Sequence, residues 1–243
     1  MSKMWFSIYD FSFDYKGAET PFTDPYTFKW AKELETLFPE IKTELESYLN
    51  HHELKSYFSA SMVTKENSWK TISLTTWGIE MFKVKKYFPV TCAALRKYPE
   101  IVSASFSMLE PHSKIKPHCG DTNAIYRCHM GIDVPAGLPL CGLKVKDESK
   151  AWENGKWFAF MDAYTHEAWN HSDKARYVFI VDVMRAEFSN EKKYVCATVR
   201  TSLFLQRRFK NITKMPAFAK ISAKLLMPLM QLGIFLANKL KVY

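Results

Sequence analysis

Hydrophobic residues near the start of the chain recur at helical spacing. Between Pro25 and His52 they return at intervals of mostly three or four positions, at Phe28, Leu34, Leu37, Phe38, Ile41, Leu45 and Leu49. An α-helix turns once in about 3.6 residues, so this spacing places them on one helical face. Proline interrupts a helix interior, and we therefore expect Pro39 to separate two helices.

The pattern changes near residue 70 to short alternating runs of apolar and polar residues. These runs are TISLTTW, IVSASFSML, AIYRCHMGIDV, CGLKVK, KWFAFMD and ARYVFIVDVM, and turn-forming residues lie between them. Such runs predict β-strands. A single short helix, around TCAALRKY, interrupts the series. A helical lead-in followed by six or more strands predicts a mainly β fold, either a closed barrel or a jelly roll.

The C-terminal part of the chain returns to a helical pattern between Pro216 and Leu240. Its polar residues are spaced four, seven and seven apart, at Lys220, Lys224, Gln231 and Asn238. At about 100° per residue they form a narrow polar stripe on an otherwise apolar cylinder. The uncharged run at 225–238 has 14 residues. That is shorter than the ~20 residues that cross a bilayer, so we expect no membrane-spanning segment.

Charge is distributed unevenly between the body and this tail. The chain has 34 Lys and Arg against 25 Asp and Glu, a net charge of +9, yet no acidic residue follows Glu191. Eleven basic residues do follow it, which leaves residues 1–191 with 23 basic and 25 acidic side chains. A nucleic-acid-binding body would show its basic face in its own charge balance, so we expect no nucleic acid partner.

The tail then has three readings. It can lie in a membrane interface, where its flanking Lys and Arg residues meet anionic head groups, and this reading fits the charge asymmetry best. It can instead pack on the body's own core, or it can occupy a groove on a partner protein. The membrane reading assigns the contact to residues 205–243.

Composition and length set the domain organisation and the compartment. At 47% hydrophobic residues the chain is typical of a folded protein, and the body is long enough for one core. We expect a catalytic domain over 1–190, with a helical lead-in at 1–68 and a strand-rich core at 69–190, followed by a basic tail at 191–243. Five scattered cysteines without CxxC spacing suit a reducing compartment, and the N-terminus lacks the apolar region of a secretory signal. We expect a cytoplasmic protein at the inner face of a membrane.

Two histidines stand out by their position relative to predicted strands. His118 lies at a strand-to-loop junction, and His166 follows the strand KWFAFMD. Two imidazoles about fifty residues apart, each at the end of a barrel strand, would make a metal pair that suits Fe, Zn, Cu or Ni. Spacing alone leaves the alternative open that the two are unrelated surface or core residues.

A second group of polar residues could line the inside of such a barrel. Arg127 and His129 are two positions apart and share one face of a strand. Arg176 begins an apolar strand, where its planar guanidinium could reach inward and bind a carboxylate with two hydrogen bonds. Ser103, Ser105 and Ser107 also share one strand face. Together they would form a polar cavity for a small dicarboxylate, unless these faces point outward.

Two longer stretches carry a family resemblance. The chain resembles the aspartyl/asparaginyl β-hydroxylase family over about Trp69 to Phe188. The stretches that carry the resemblance are FSMLEPHSKIKPHCGDTNAIYRCHMGIDVP and, after it, WENGKWFAFMDAYTHEAWNHSDKARYVFIVDV. The resemblance implies a double-stranded β-helix, which is a cupin-like jelly roll, with helices on either side. It also implies an oxygenase that uses Fe(II), the cosubstrate 2-oxoglutarate and O2.

The resemblance assigns the iron ligands and their surroundings. His118 and His166 match the two iron-binding histidines, and Asp162, four residues before the second, matches an acidic residue that orients the ligands. Related oxygenases add a carboxylate two residues after the first histidine. Gly120 stands at that position here, as in the family, which implies that water takes the third place. Asp121, one residue further on, is the alternative ligand.

The resemblance also assigns the cosubstrate contacts. Arg176, ten residues after His166, matches the arginine that pairs with the distal carboxylate of 2-oxoglutarate, and Ser107 matches a serine that shares this carboxylate. Arg127 and His129 match the pair near the iron-chelating end. His112 stands where the family usually has glycine, so it is either an exposed turn residue or a substrate contact. Phe88 replaces a usual cysteine.

Three functions remain open at this point. The first is hydroxylation of an unactivated C–H bond in a membrane-associated lipid, in its acyl chain or amino-acid head group, with release of succinate and CO2. The second is β-hydroxylation of an Asp or Asn side chain in a peptide, a protein or a free amino acid. The third is a cupin-like binding module without catalysis, against which the retained histidines and arginines argue. The sequence leaves the oligomeric state open.

Overall fold

Four of the six described helices form where the sequence pattern predicts them. The structure is a computed structural model that describes residues 3–10, 15–209 and 216–240. The helices are α1 (Lys29–Thr36), α2 (Phe38–Leu49), α3 (Phe82–Lys85), α4 (Pro89–Arg96), α5 (Lys192–Arg208) and α6 (Pro216–Leu240). Pro39 lies in the first turn of α2, where its missing N–H would have no helical partner. The predicted separation of two helices at this proline is confirmed.

All six alternating runs form strands, and the described residues contain six further strands. The twelve strands are β1 (Phe22–Thr23), β2 (Lys55–Ser56), β3 (Trp69–Thr76), β4 (Ile79–Glu80), β5 (Ile101–Leu109), β6 (Ser113–His118), β7 (Ile125–Asp133), β8 (Cys141–Val145), β9 (Glu148–Lys150), β10 (Trp157–Phe160), β11 (His166–Asn170) and β12 (Arg176–Met184). The sequences of β6 (SKIKPH) and β11 (HEAWN) do not alternate regularly between apolar and polar residues, so the pattern gave no sign of these strands.

The strands form two facing sheets. The larger has the order β1-β10-β7-β12-β5-β3-β2, with β4 paired to β3, and the smaller has the order β6-β11-β8-β9. From β5 to β12 the chain passes repeatedly between the two sheets, with antiparallel pairing. This topology is a jelly roll, the double-stranded β-helix that the family resemblance implied, and helices lie before and after it.

Each face of the larger sheet has a different role. On the outer face, Phe106 of β5 and Phe179 of β12 pack against Trp30 of α1 and Phe88, which precedes α4. Side chains alternate along a strand, so the serines and arginines of the same strands point between the sheets. The helices therefore cover the apolar face and leave the polar face lining the barrel interior.

The tail packs on the barrel before it reaches solvent. Helix α5 buries Val195, Val199 and Leu205 in a cluster that also contains Trp77 and Val102 of the body. Ala219 and Ala223 of α6 join the same cluster. Leu226 and Ile234 of α6 are partly buried against this cluster. Seven large apolar residues of α6 are exposed, namely Phe218, Ile221, Leu225, Leu229, Leu232, Phe235 and Leu236. The boundary at residue 190 stays a prediction, while α5 itself is packed against the body.

Helix α6 is also the one described helix that could cross a membrane by its length and composition. The qualifying segment is Ala217–Leu236, 20 residues with a mean hydropathy of 1.3. This segment is longer than the uncharged run at 225–238, from which the sequence predicted no membrane-spanning segment. The 20-residue segment includes Lys220 and Lys224, two charged residues that lie outside the uncharged run.

Candidate functional site

The two predicted metal ligands face each other across neighbouring strands. His118 ends β6 and His166 begins β11, and the antiparallel register pairs these two residues directly. Their ring centroids are 4.2 Å apart. The sequence analysis placed His166 at the end of a strand, but it begins the next one. In an antiparallel pair, the end of one strand lies beside the start of its neighbour, which brings the two rings together.

Backbone carbonyls fix both rings in one tautomer. Nδ1 of His118 lies 2.8 Å from the carbonyl oxygen of Lys116, and Nδ1 of His166 lies 2.8 Å from that of Tyr164. A carbonyl only accepts hydrogen bonds, so each Nδ1 carries the proton and each Nε2 keeps its lone pair. Burial lowers the pKa of His118 to about 3, with a further contribution from His166. Burial also lowers the pKa of His166 to about 4. Both rings are therefore neutral, as metal ligands must be.

Asp162 fills the place that a third protein ligand would need. Its Oδ1 lies 3.6 Å from Nε2 of His166, and its carbonyl oxygen accepts a hydrogen bond of 2.8 Å from the backbone N–H of Gly120. A Cβ atom on Gly120 would lie 1.7 Å from Asp162 Oδ2. Any side chain at position 120 would therefore collide with this carboxylate.

Asp121, the alternative ligand, is engaged elsewhere. Its Oδ1 accepts hydrogen bonds from Ser202 at 2.8 Å and from Gln206 at 3.3 Å, both on α5, and from Ser7 at 3.4 Å. Burial raises the pKa of Asp121 to about 6. In the described part of the chain, no group of three or more His, Cys, Asp or Glu residues has a metal-binding arrangement.

Arg127 is held between two carboxylates. Its Nη1 lies 2.6 Å from Asp162 Oδ1, and its Nε and Nη2 donate to the two oxygens of Asp182 at 2.7 and 3.0 Å. The two carboxylates raise the pKa of Arg127 despite its burial. Asp182 was missed in the sequence, although an acidic residue inside the apolar strand ARYVFIVDVM was a usable sign. The chain thus links Arg127 to His166 through Asp162.

His129 and Arg176 bring unused hydrogen-bond donors into the buried interior. Nδ1 of His129 accepts a hydrogen bond of 3.2 Å from Trp152 Nε1, so the proton of the neutral ring lies on Nε2. Burial, and then the charge of Arg127, hold the pKa of His129 well below its usual value. Its Nε2 has no hydrogen-bond partner among the described residues.

The Arg176 guanidinium is almost completely buried, with 1% of the residue exposed. It lies over the same indole, with Cζ 4.4 Å from the Trp152 ring centroid. Its Nε and Nη2 have no hydrogen-bond partner within the described ranges. Burial lowers the pKa of Arg176 to about 10, so the group remains charged near neutral pH. A buried cation with free donors requires an anion, because an unpaired charge is strongly disfavoured in a protein interior.

Ser107 occupies the inner face of β5, close to the histidines. Its Oγ accepts a hydrogen bond of 3.0 Å from Trp69 Nε1, and the Trp69 ring centroid lies 6.4 Å from that of His118. The hydroxyl proton of Ser107 remains available to a second acceptor. Trp69, at the start of β3, and Trp152, in the loop between β9 and β10, were both missed in the sequence, because a tryptophan in such a pattern is usually a core residue.

A cavity of about 610 Å³ opens beside this site. The barrel contributes His118, Arg127 and Asp162 to its lining, and helix α5 contributes Ser202 and Gln206, among others. Sequence reasoning had separated the tail from the active site. The tail supplies no predicted iron ligand, but it forms one wall of the cavity.

The other singled-out residues lie as follows. His112 is exposed in the turn between β5 and β6, with Nε2 3.0 Å from Asp173 Oδ1. Its φ of 52° lies in the left-handed region, which explains why the family usually has glycine there. Phe88 is buried in the outer core. Cys119 lines the cavity.

The fold and the site define a jelly-roll protein with two paired histidines. The chain belongs to the aspartyl/asparaginyl beta-hydroxylase family, whose model matches residues 35–186. It is 36% identical over 175 residues to the ornithine lipid ester-linked acyl 2-hydroxylase of Rhizobium tropici, covering 70% of this chain and 62% of that protein. It is 31% identical over 134 residues to the human aspartyl/asparaginyl beta-hydroxylase, covering 53% of this chain and 17% of that protein.

The structure is also similar to a solved prolyl-4-hydroxylase from Pseudomonas putida. The TM-score is 0.43 at 11% sequence identity, and the match covers 62% of this chain and 87% of that one. The chain thus spans less than two thirds of the length of either curated relative described above.

Proposed function

We propose that this protein is an Fe(II)- and 2-oxoglutarate-dependent oxygenase that hydroxylates a C–H bond of a membrane-associated lipid. The observation that carries the cosubstrate assignment is the buried Arg176 guanidinium with free donors, beside a second free donor on His129. Both lie against Trp152, so one small anion could engage both. A dicarboxylate of the size of 2-oxoglutarate fits this requirement.

The histidine pair fits an iron ion. His118 and His166 present unprotonated Nε2 atoms from neighbouring strands, and their Nδ1 bonds fix the ring orientations. Iron with bound 2-oxoglutarate would supply the oxidation of a C–H bond by O2, with release of succinate and CO2. The protein residues would bind and orient the reactants and keep the reaction away from water.

Each surrounding residue has a role in this arrangement. Arg176 and the Ser107 hydroxyl would hold the far carboxylate of 2-oxoglutarate. His129 would donate from Nε2 towards its other end. Arg127 is already bound to Asp162 and Asp182, so its role is to hold Asp162 against His166. This differs from the direct cosubstrate contact that the family resemblance suggested for Arg127.

Features of the tail support the proposal that the substrate is a lipid at a membrane surface. Helix α6 exposes a row of large apolar residues, and the chain after Glu191 carries eleven basic residues and no acidic one. Such a surface favours an anionic bilayer interface. The Rhizobium tropici relative, whose name specifies an ester-linked acyl chain of a lipid, agrees with this substrate class. We place the protein on the cytoplasmic side of the membrane.

Hydroxylation of an Asp or Asn side chain is the second candidate. The observation that favours it is the 31% identity to the human aspartyl/asparaginyl beta-hydroxylase over 134 residues. The two candidates share the same iron and cosubstrate residues. They differ in what enters the cavity, and only product analysis separates them.

The histidine assignment is tested by succinate formation. His118→Ala and His166→Ala should each reduce Fe(II)-dependent conversion of 2-oxoglutarate to succinate to background, because each removes half of the protein ligands. His112→Ala is the matched control, since this histidine is exposed and lies outside the site. Succinate production that persists in either ligand variant would refute the assignment.

A further inference from the structure

One acidic side chain on the cavity wall has no counter-ion among the described residues. Asp121 lines the cavity together with His118, three residues earlier in the chain. All of its side-chain hydrogen bonds reach Oδ1, from Ser7, Ser202 and Gln206. Among the described residues, Oδ2 accepts no hydrogen bond and no Lys or Arg forms an ion pair with Asp121.

Two arginines, Arg127 and Arg207, also line the cavity, but among the described residues neither forms an ion pair with Asp121. Arg127 acts on it through space but is already bound to Asp162 and Asp182. Burial raises the pKa of Asp121 to about 6, and repulsion by Asp162 adds to this shift. The carboxylate is still ionised near neutral pH. The three donors on Oδ1 are neutral groups, so they position the carboxylate without adding an opposite charge.

Aromatic side chains line the cavity beside this carboxylate. Tyr57 and Trp69 stack with ring centroids 3.8 Å apart and an interplanar angle of 21°, and both line the cavity. Their electron-rich faces attract cations. A carboxylate with one free oxygen beside an aromatic wall is an arrangement that suits an organic ammonium group.

We propose that Asp121 is a specificity-determining residue that binds a cationic amine of the substrate. The proposal rests on the function proposed above, because it concerns the substrate of the same site. It narrows the substrate class to lipids that carry a free amine in the head group. Helix α5 takes part through Ser202 and Gln206, which hold the carboxylate in place, so the tail contributes to substrate recognition as well as to location.

The test compares two lipids that differ only in the amine. Ornithine lipid and its N-acetylated derivative, each in neutral detergent micelles, are titrated into the full chain while tryptophan fluorescence is recorded. We expect the unmodified chain to bind the free amine about tenfold more tightly, the loss expected for one charge-assisted hydrogen bond. Asp121→Asn keeps an oxygen for the three donors but removes the charge, so it should bind both lipids equally.

Two further variants keep the test decisive. Gln206→Lys leaves Asp121 intact and adds an internal cation next to it, so it should also abolish the preference even if Asp121→Asn fails to fold. Asp147→Asn removes an exposed acid in the turn between β8 and β9 and should keep the tenfold preference. A preference that survives both Asp121→Asn and Gln206→Lys, or no preference in the unmodified chain, would overturn the proposal.

The result is independent of the oxygenase assignment. A chain that prefers the amine but makes no succinate would refute the proposed function and leave the Asp121 assignment standing. A chain that makes succinate without this preference would refute only the assignment of Asp121.

Discussion

The barrel interior pairs most of its buried charged groups, whereas the outer face of α6 leaves large apolar side chains exposed. Inside the barrel, Arg127, Asp162 and Asp182 form a buried network, and among the described residues Arg176 and His129 keep buried donors without a hydrogen-bond partner. On α6, by contrast, Leu225 is 71% and Leu229 65% exposed, with no described residue covering them. Among the described residues, some polar groups inside the barrel have no small polar partner, and the exposed apolar side chains of α6 have no apolar surface that covers them. Under the proposed function, the barrel interior carries the chemistry and the outer face of α6 sets the location, while α5 of the same tail also lines the cavity.

The largest expected effect concerns the tight contact inside the barrel. Gly120→Ala places a Cβ 1.7 Å from Asp162 Oδ2, so the carboxylate must move away from His166 and Arg127. We expect succinate formation to fall about a hundredfold, the upper range for loss of a group that orients metal ligands. The rate is measured at saturating Fe(II) and 2-oxoglutarate.

Gly137→Ala is the matched control for this substitution. No atom lies within 4 Å of a Cβ at that position, so the rate should not change. If Gly120→Ala were as active as Gly137→Ala, the close packing of Asp162 against position 120 would not matter for activity.

A smaller effect is expected on the outer face of α6. The double substitution Leu225→Glu and Leu229→Glu should weaken binding to vesicles containing anionic lipid about tenfold or more, since it removes apolar area and adds repulsive charge. Cosedimentation measures the bound fraction. Substitution is preferable to truncation at residue 205, because Leu205 and Ala219 are buried and their loss would disturb the body.

The control for the membrane surface is Leu138→Glu. Leu138 is also exposed and apolar, but it lies in the loop before β8, outside α6. Its substitution should leave vesicle binding unchanged. Equal losses for Leu138→Glu and the α6 variant would mean that general charge, rather than this helix face, governs binding.

The local sequence pattern predicted the strands whose residues alternate clearly, whereas the strands that it missed depend on long-range contacts. Strands β5, β7 and β12 alternate clearly, because one face packs on helices and the other lines the barrel. Strand β6 carries two lysines and a proline, and β11 has only five residues, so their patterns are weak. Yet these two strands hold the histidine pair, and their register follows from the whole sheet rather than from either segment.

Like the weakly patterned strands, the site depends on contacts between residues that are far apart in the chain. Family resemblance supplied His118, His166, Asp162 and Arg176 as candidates, and the structure brings the first three together and buries the fourth with free donors. The contact of Trp152 with His129 and the approach of α5 to Asp121 join residues far apart in the chain. No local spacing encodes such contacts, so the cavity wall could not be predicted.

The most direct test of the account is the fate of dioxygen in the presence of lipid. The full chain is incubated on vesicles of ornithine lipid and anionic phospholipid with Fe(II), 2-oxoglutarate and isotopically labelled O2, and both lipid and succinate are analysed by mass spectrometry. We predict one labelled oxygen in the hydroxylated lipid and one in succinate, in equal amounts, and neither product with Arg176→Met. Succinate formed without any labelled lipid, or labelled lipid formed equally well by Arg176→Met, would contradict the account.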